Sequence, residues 1–256
     1  MTARDLPKET VVILTPMKNA ARQMETYFER LRTLTFPREQ LSLGIMESDS
    51  EDGTWQQLLE EKQQLEQEFA AVHLVKRDFG FRLPPELPRW APQVQMMRRS
   101  VLAKSRNHLL FHGLRDEDWV LWLDSDVCEY PADILERLLA MGKEIVQPNC
   151  VYDYGGQSFD LNAWRDHGRL HLHDLRGEGD LVRLDSVGGT MLLVRADRHR
   201  DGLVFPAFPY GLRHPGIRTD NYWLGELETE GFGMMAADLG VECWGMPNLE
   251  IRHPRF

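Results

Sequence analysis

Cysteine is scarce in this sequence, and the three residues present do not form a recognised pattern. Cys128, Cys150 and Cys243 are odd in number and lack the spacing of a zinc site or of a redox pair. Small secreted domains that depend on disulfides carry far more cysteine. The composition therefore fits a reducing compartment better than a disulfide scaffold.

Long apolar runs and an excess of basic residues are also missing. No stretch approaches the roughly 20 apolar residues of a membrane span, and the amino terminus does not resemble a signal peptide. We therefore expect a soluble, cytoplasmic protein, for which peripheral contact with a membrane and homo-oligomerisation stay open. The formal net charge of −10 argues against non-specific binding to nucleic acid, which requires a basic face.

The sequence instead contains apolar strand patterns that alternate with helical patterns. Its 256 residues are 42% hydrophobic and 27% charged, which suits one α/β domain with a sizeable core. We predict strands at 10–16, 41–46, 72–76, 119–123, 145–148, within 186–194 and at 241–244. Helical spacing covers 20–34, 55–69, 93–114, a segment that Pro131 starts, and 226–239. The fold class is α/β, with a Rossmann-like, mostly parallel central sheet flanked by helices.

Two segments have no clear periodicity. The proline-rich stretch 79–92 is predicted to be an ordered loop, because several prolines exclude a helix. Between residues 152 and 180 hydrophobic periodicity disappears, and long loops without their own structure are often functional. We expect this second segment to act as a lid over a substrate.

The most informative stretch is an apolar strand, Trp119–Leu123, that ends in Asp124, Ser125 and Asp126. At the carboxyl end of a parallel strand, both carboxylates would project into the crevice where open α/β sheets bind ligands. Mg²⁺ and Mn²⁺ commonly bind through one or two carboxylates and substrate phosphates. The alternative is that these aspartates only shape the turn before the next helix.

An acidic stretch follows the second predicted strand. Glu47 or Asp49 at the strand end could bond a nucleoside base or ribose, whereas Asp52 or Thr54 could simply cap the next helix. Both interpretations are compatible with each other.

Basic residues precede the Trp119–Leu123 strand on a predicted helix. Lys104 and Arg106 could reach a diphosphate, while for Arg98 and Arg99 solvated surface charge is the preferred interpretation.

Three glutamates and a histidine late in the chain are candidate functional residues. Glu226, Glu228 and Glu230 lead into a helix, where the helix dipole alone favours carboxylates. Of the three, Glu230 is the candidate for a functional carboxylate. His253 could supply a third metal ligand, since imidazole suits Mn²⁺, although a lone histidine is more often structural.

Together these residues resemble the GT-A class of nucleotide-sugar glycosyltransferases. More narrowly, the chain resembles the fungal Golgi mannan-polymerase family of α-mannosyltransferases, glycosyltransferase family sixty-two. The matching segments occur in the family's order at 47–54, 104–110, 119–126, 147–150, 159–164, 187–196 and 228–232. Asp-x-Asp alone is weak evidence, but this ordered set is specific.

The resemblance implies a single GT-A domain over residues 1–256, with a nucleotide-binding half (1–150) and an acceptor-binding half (151–256). It also implies GDP-mannose as donor, Mn²⁺ or Mg²⁺ as cofactor, and transfer to a mannoside or another glycan with retention of the α configuration. Asp124, Asp126 and His253 would hold the metal. The residues expected near the donor or acceptor are Pro16, Glu47, Asp49, Lys104, Arg106, Ser125, Asp160, Asn162 and Trp164.

Two alternatives remain open. An inverting enzyme that uses a UDP-sugar would keep the same metal motif but would need Glu230 as base. A non-catalytic assembly subunit could keep the fold without turnover. The chain also departs from the family, because it starts almost directly at its first strand without a membrane anchor and its 210–227 segment looks longer.

Overall fold

An eight-stranded sheet forms the centre of the computed structural model, which describes residues 9–88, 91–211 and 225–255. Its strands are β1 Val11–Met17, β2 Leu41–Glu47, β3 Ala71–Lys76, β4 Trp119–Leu123, β5 Ile145–Val151, β8 Val182–Leu184, β9 Met191–Arg195 and β10 Cys243–Arg252. Two further strands, β6 Trp164–Arg165 and β7 Leu170–His171, form a separate hairpin.

The strand order is β3-β2-β1-β4-β9-β5-β10-β8. Strands β3, β2, β1 and β4 are parallel neighbours, and β5 is parallel to β10. Only β9, between β4 and β5, and the edge strand β8 run antiparallel within the described sheet. The predicted α/β fold with a mostly parallel sheet is therefore confirmed.

The helices cover both faces of the sheet. They are α1 Met24–Arg32, α2 Thr54–Glu68, α3 Pro92–Gly113, α4 Ile134–Ala140, α5 Ala196–Arg200 and α6 Glu228–Asp238, with 3₁₀ turns at Arg38–Gln40 and Leu172–Glu178. Side chains along β4 alternate between two core layers: Leu121 and Leu123 face one layer, whereas Val120 and Trp122 face the other. Because both faces are covered, β4 is apolar throughout.

Strand β10 is longer than the predicted 241–244 segment. It continues to Arg252 through a register irregularity between Met246 and Glu250, where Pro247 lies. A proline is tolerated in a sheet at such a bulge because it has no N–H to donate. The extended strand carries His253 beside the end of β5, where the His253 N–H donates to the Val151 carbonyl at 2.9 Å.

The expectation of an unstructured lid at 152–180 is wrong for residues 164–178. The β6–β7 hairpin and the 3₁₀ turn lie there, and Trp164, Leu172 and Leu175 are buried. These three apolar side chains anchor the segment in the core although they follow no regular period. Residues 212–224, most of the 210–227 segment, lie outside the described residues.

Two smaller points concern helix starts and hydropathy. Helix α4 begins at Ile134 rather than at Pro131. None of the described helices has the length and hydropathy needed to cross a bilayer.

We predict that Gly233→Ala destabilises the protein by about 1–3 kcal/mol, the usual cost of overpacking a close contact. Helix α6 approaches the backbone of residues 185–186 so closely that a Cβ at Gly233 would lie 2.7 Å from the Asp185 carbonyl oxygen. Gly177→Ala is the matched control, because its Cβ would meet no atom within 4 Å. Urea unfolding compares both variants with the wild type, and equal stabilities would contradict the packing described for α6.

Candidate functional site

A cavity of about 780 Å³ opens where β1, β2 and β4 end. Because β9 runs antiparallel to β4, its amino-terminal turn reaches the same edge of the sheet. Nine of the predicted site residues line this cavity: Pro16, Asp49, Arg106, Asp124, Ser125, Asp126, Asp160, Asn162 and His253. The remaining four are Glu47, Lys104, Trp164 and Glu230, and the structure places them elsewhere.

Arg106, 3% exposed, lies between two carboxylates. Its Nη2 donates to Asp124 Oδ1 at 3.0 Å and its Nε donates to Glu228 Oε1 at 2.9 Å. Burial raises the pKa of Asp124 to about 7; Arg106 opposes this shift, and the charges of Asp126, Glu228 and Asp160 add to it. The cluster is therefore rich in carboxylate and favours a bound cation.

His253 is paired with the second aspartate of the motif. Its Nε2 lies 3.0 Å from Asp126 Oδ2, and its Nδ1 lies 2.8 Å from the Pro254 carbonyl. The Phe159 ring stacks on the imidazole with centroids 3.6 Å apart. These contacts fix the orientation of the imidazole towards Asp126.

Asp160 organises the turn that precedes β9. Its carboxylate accepts hydrogen bonds from the N–H groups of Gly189 and Thr190 and from the Thr190 hydroxyl, at 2.9–3.2 Å. A Cβ at Gly188 would lie 2.1 Å from Asp160 Oδ2, so a larger residue there would displace the Asp160 carboxylate. The Thr190 carbonyl in turn accepts the N–H of Asp124 at 2.9 Å. Asp160 thereby positions the backbone beside the Asp124 carboxylate.

Asp49 binds a neighbouring loop. Its carboxylate accepts the N–H groups of Phe79 at 3.1 Å and of Gly80 at 2.9 Å. Burial acts to raise the pKa of Asp49, but these hydrogen bonds outweigh burial and lower the pKa below its usual value. Lys18 Nζ donates to the Phe81 carbonyl at 2.7 Å. The loop is thus held along the cavity wall, which Phe81 and Lys18 line.

Glu47 is engaged away from the cavity. It is fully buried, where one oxygen contacts Lys76 Nζ at 2.5 Å and the other accepts the Ser50 N–H at 2.8 Å. Its contacts stabilise the end of β2.

Glu230 is also enclosed by protein partners. Its carboxylate contacts Arg99 Nη1 at 2.5 Å and accepts the indole N–H of Trp164 at 2.9 Å. The prediction that Arg99 is solvated surface charge is therefore wrong: the Arg99 side chain is 12% exposed. The error arose because the spacing of apolar residues in the first half of α3 does not show which face of the helix points inward.

Lys104 lies on a different face of α3 from Arg106. It is exposed and borders a separate surface depression with Arg77 and Phe111. Two residues along a helix correspond to a rotation of about 200°, so Lys104 and Arg106 cannot share a face. We therefore exclude Lys104 from the candidate site.

Glu228 is the residue that the sequence pattern missed. It lines the cavity, is 4% exposed and has the left-handed φ of +52°. A non-glycine residue in this region is unusual and suggests a functional constraint. No sequence signal separates Glu228 from Glu230, because both stand in the first turn of α6, where the helix dipole favours carboxylates.

Asp124, Asp126 and His253 line the same cavity and supply oxygen and imidazole donors, which fit Mn²⁺. Among the described residues, no group of three or more His, Cys, Asp or Glu side chains is arranged so that it could hold a metal ion. A cation at this site would therefore need substrate phosphates as further ligands.

One family model, several named relatives and several solved structures match this chain over most of its length. The family model described as Anp1 matches residues 2–172 and 166–209. The Mannan polymerase II complex anp1 subunit of Schizosaccharomyces pombe is 31% identical over 96% of this chain, which spans 64% of that relative's length. The Mannan polymerase complex subunit mnn9 of the same organism is 32% identical, covering 96% of this chain and 80% of the relative.

Two solved structures share the fold at low identity. The mannosyltransferase PcManGT from Pyrobaculum calidifontis, in complex with GDP-Man and Mn²⁺, aligns with a TM-score of 0.58 and 15% identity over 97% of this chain and 59% of that one. S. aureus TarS 1-349 in complex with UDP aligns with a TM-score of 0.55 and 13% identity over 96% and 60%. The fold is that of the GT-A glycosyltransferases.

We predict that Asp49→Asn lowers the stability at pH 7 by about 1–3 kcal/mol, because charged hydrogen bonds to the 79–80 backbone are weakened. The native pKa of Asp49 lies below the unfolded value of about 3.9, so its stabilisation is present above that pH and is lost as pH falls through the native pKa. The difference between variant and wild type should therefore shrink towards pH 3.

Urea unfolding at pH 7 and near pH 3 measures this difference. Asp116→Asn, at an exposed aspartate before β4, is the control. A deficit for Asp49→Asn that stays constant with pH would contradict the role given to the ionised carboxylate.

Proposed function

The chain belongs to the Anp1 family, and on that premise we propose that it is a metal-dependent glycosyltransferase that transfers α-mannose from GDP-mannose to a mannoside or another glycan acceptor with retention. One observation carries this proposal: Asp124, Asp126 and His253 line one cavity at the carboxyl ends of parallel strands. Ligands of open α/β sheets bind at this position. The relatives named as mannan polymerase subunits support mannose as the transferred sugar.

We assign the nucleotide to the part of the cavity formed by residues 1–150. Pro16, one residue before the end of β1, lines it there, and the loop held by Asp49 contributes Phe81 to the wall. An aromatic ring beside Lys18 suits a nucleobase with an attached phosphate. Residues 151–256 contribute Asp160, Asn162 and His253 to the cavity lining, and we assign this part to the acceptor.

Arg106 has two roles in this proposal. It orients Asp124 through the 3.0 Å contact, and its Nη1 is buried with no hydrogen-bond partner among the described residues. A buried donor of this kind requires an explanation, and a phosphate oxygen of the donor would satisfy it.

Asp124, Asp126 and His253 would hold a divalent cation. When bound, Mn²⁺ or Mg²⁺ neutralises the charge that develops on a departing diphosphate. Glu228 keeps Arg106 in place, and Asp160 keeps the turn 188–190 in place. The acceptor hydroxyl would attack on the face from which GDP departs, through an oxocarbenium-like state.

The position of Glu230 supports retention over the inverting alternative. Its carboxylate contacts Arg99 and Trp164, an arrangement that suits a structural role better than that of a base. We expect Glu230→Gln to keep turnover within roughly tenfold of wild type, equivalent to about 1.4 kcal/mol. Loss of all transfer with unchanged donor binding would instead favour an inverting enzyme, and a product of inverted anomeric configuration would confirm it.

A non-catalytic role in an assembly is the second candidate, because the relatives' names describe subunits of complexes. The chain retains Asp124, Asp126 and His253 together in one cavity, which favours an active enzyme. Donor hydrolysis by the purified wild type in the presence of Mn²⁺ separates the two candidates. Its complete absence would favour the assembly role.

We predict that Asp124→Asn and Asp126→Asn each reduce donor hydrolysis and transfer by roughly a thousandfold or more, since removal of electrostatic stabilisation costs about 4 kcal/mol. Initial rates with GDP-mannose and Mn²⁺ measure the effect, and circular dichroism checks the fold. Asp116→Asn, at an exposed aspartate at the amino-terminal side of β4, is the matched control. Near-normal rates in both site variants would refute the metal assignment.

A further inference from the structure

Residues 152–158 form a loop beside the metal-binding end of the cavity. Val151 and Ser158 form an isolated antiparallel bridge at its base, and the Phe159 N–H donates to the Cys150 carbonyl at 2.7 Å. Near the loop tip, the Gly155 N–H donates to Glu250 Oε2 at 2.7 Å. The loop is thus held at its base and near its tip, next to the end of β10.

This loop exposes two tyrosines. Tyr152 is 36% exposed and Tyr154 is 52% exposed. The ring of Tyr152 lies 5.1 Å from that of Phe159, edge to face, and Phe159 stacks on His253. Since His253 contacts Asp126, aromatic rings lead continuously from the proposed metal site to the protein surface.

Charged side chains surround the two tyrosines and neutralise one another. Arg255 lies with its Cζ 5.2 Å from the Tyr152 ring and is paired with Asp153. Arg252 lies 5.8 Å from the Tyr154 ring and is paired with Glu129 at 2.8 Å. These two ion pairs make the described surroundings of the tyrosines electrically balanced, which argues against an anionic lipid surface and favours a neutral polar ligand.

The chemistry of a pyranose matches this surface. One face of the sugar ring is apolar and packs on an aromatic ring, while its hydroxyls bond to neighbouring charged groups. Tyrosine combines an apolar ring with a hydroxyl that forms hydrogen bonds. Exposed aromatic rings beside a substrate cavity, to which Tyr152 connects through Phe159, form a typical binding surface.

We propose that Tyr152 and Tyr154 form an acceptor subsite, which binds a sugar unit beyond the one that accepts the transferred residue. This subsite would give an oligosaccharide acceptor a contact that a single sugar lacks. This inference rests on the proposed glycosyltransferase function and extends it to the length of the acceptor.

The test compares a single mannoside, methyl α-mannoside, with an α-linked mannotriose. We expect the double variant Tyr152→Ala/Tyr154→Ala to raise KM for mannotriose about tenfold, equivalent to about 1.4 kcal/mol. KM for the single mannoside, kcat and donor hydrolysis without acceptor should stay unchanged. Tyr152→Phe should restore most of the affinity when Tyr154 is intact, because it keeps the ring.

Phe111→Ala is the matched control, since Phe111 is 68% exposed on the surface depression beside Lys104. Equal changes for the two acceptors, or no change for mannotriose, would overturn the subsite. Titration calorimetry of mannotriose with GDP and Mn²⁺ present needs no turnover, so it tests the subsite even if the chain fails to transfer mannose. If mannotriose binds the wild type and binds Tyr152→Ala/Tyr154→Ala more weakly, the subsite is supported even where the transferase proposal fails. If both proteins bind mannotriose equally, the subsite is refuted whatever the transferase activity.

Discussion

The buried guanidinium of Arg106 is the constraint on which the site depends. Burial acts to lower the pKa of Arg106, but Asp124 and Glu228 outweigh it and raise the pKa above its ordinary value. Breaking a buried pair by removing one partner typically costs about 3–5 kcal/mol, because the remaining charge stays buried. The three side chains come from α3, the end of β4 and the start of α6, so the Arg106 guanidinium fixes these three elements around the cavity.

The antiparallel strand β9 explains how the second half of the chain reaches this cluster. Its amino end lies at the carboxyl end of β4, so the turn 188–190 stands beside Asp124. Asp160 holds that turn, and the extension of β10 delivers His253 to Asp126. Residues far apart in the chain thus meet because the reversed strand β9 begins, and the bulged strand β10 ends, at the same edge of the sheet.

Local patterns predicted the sheet and the position of the Asp-x-Asp motif well. The apolar run Trp119–Leu123 and its terminal carboxylates needed no knowledge of tertiary contacts. The burial of Arg99 and Glu230 was harder to predict, because each side chain is buried against the other and Trp164 contacts Glu230. Glu228 could not be separated from Glu230 either, since the same helix dipole accounts for both carboxylates. Strand β10 was underestimated because Pro247 interrupts its apolar pattern at a bulge.

We propose above all that the cavity binds a guanosine nucleotide together with a divalent cation. Thermal unfolding of the purified protein with GDP or UDP, each with Mn²⁺ or EDTA, tests it directly, because a ligand that binds only the native state raises Tm by mass action. We predict a rise in Tm with GDP that requires Mn²⁺ and exceeds any rise with UDP. A rise with UDP alone, or none with either nucleotide, would contradict this account.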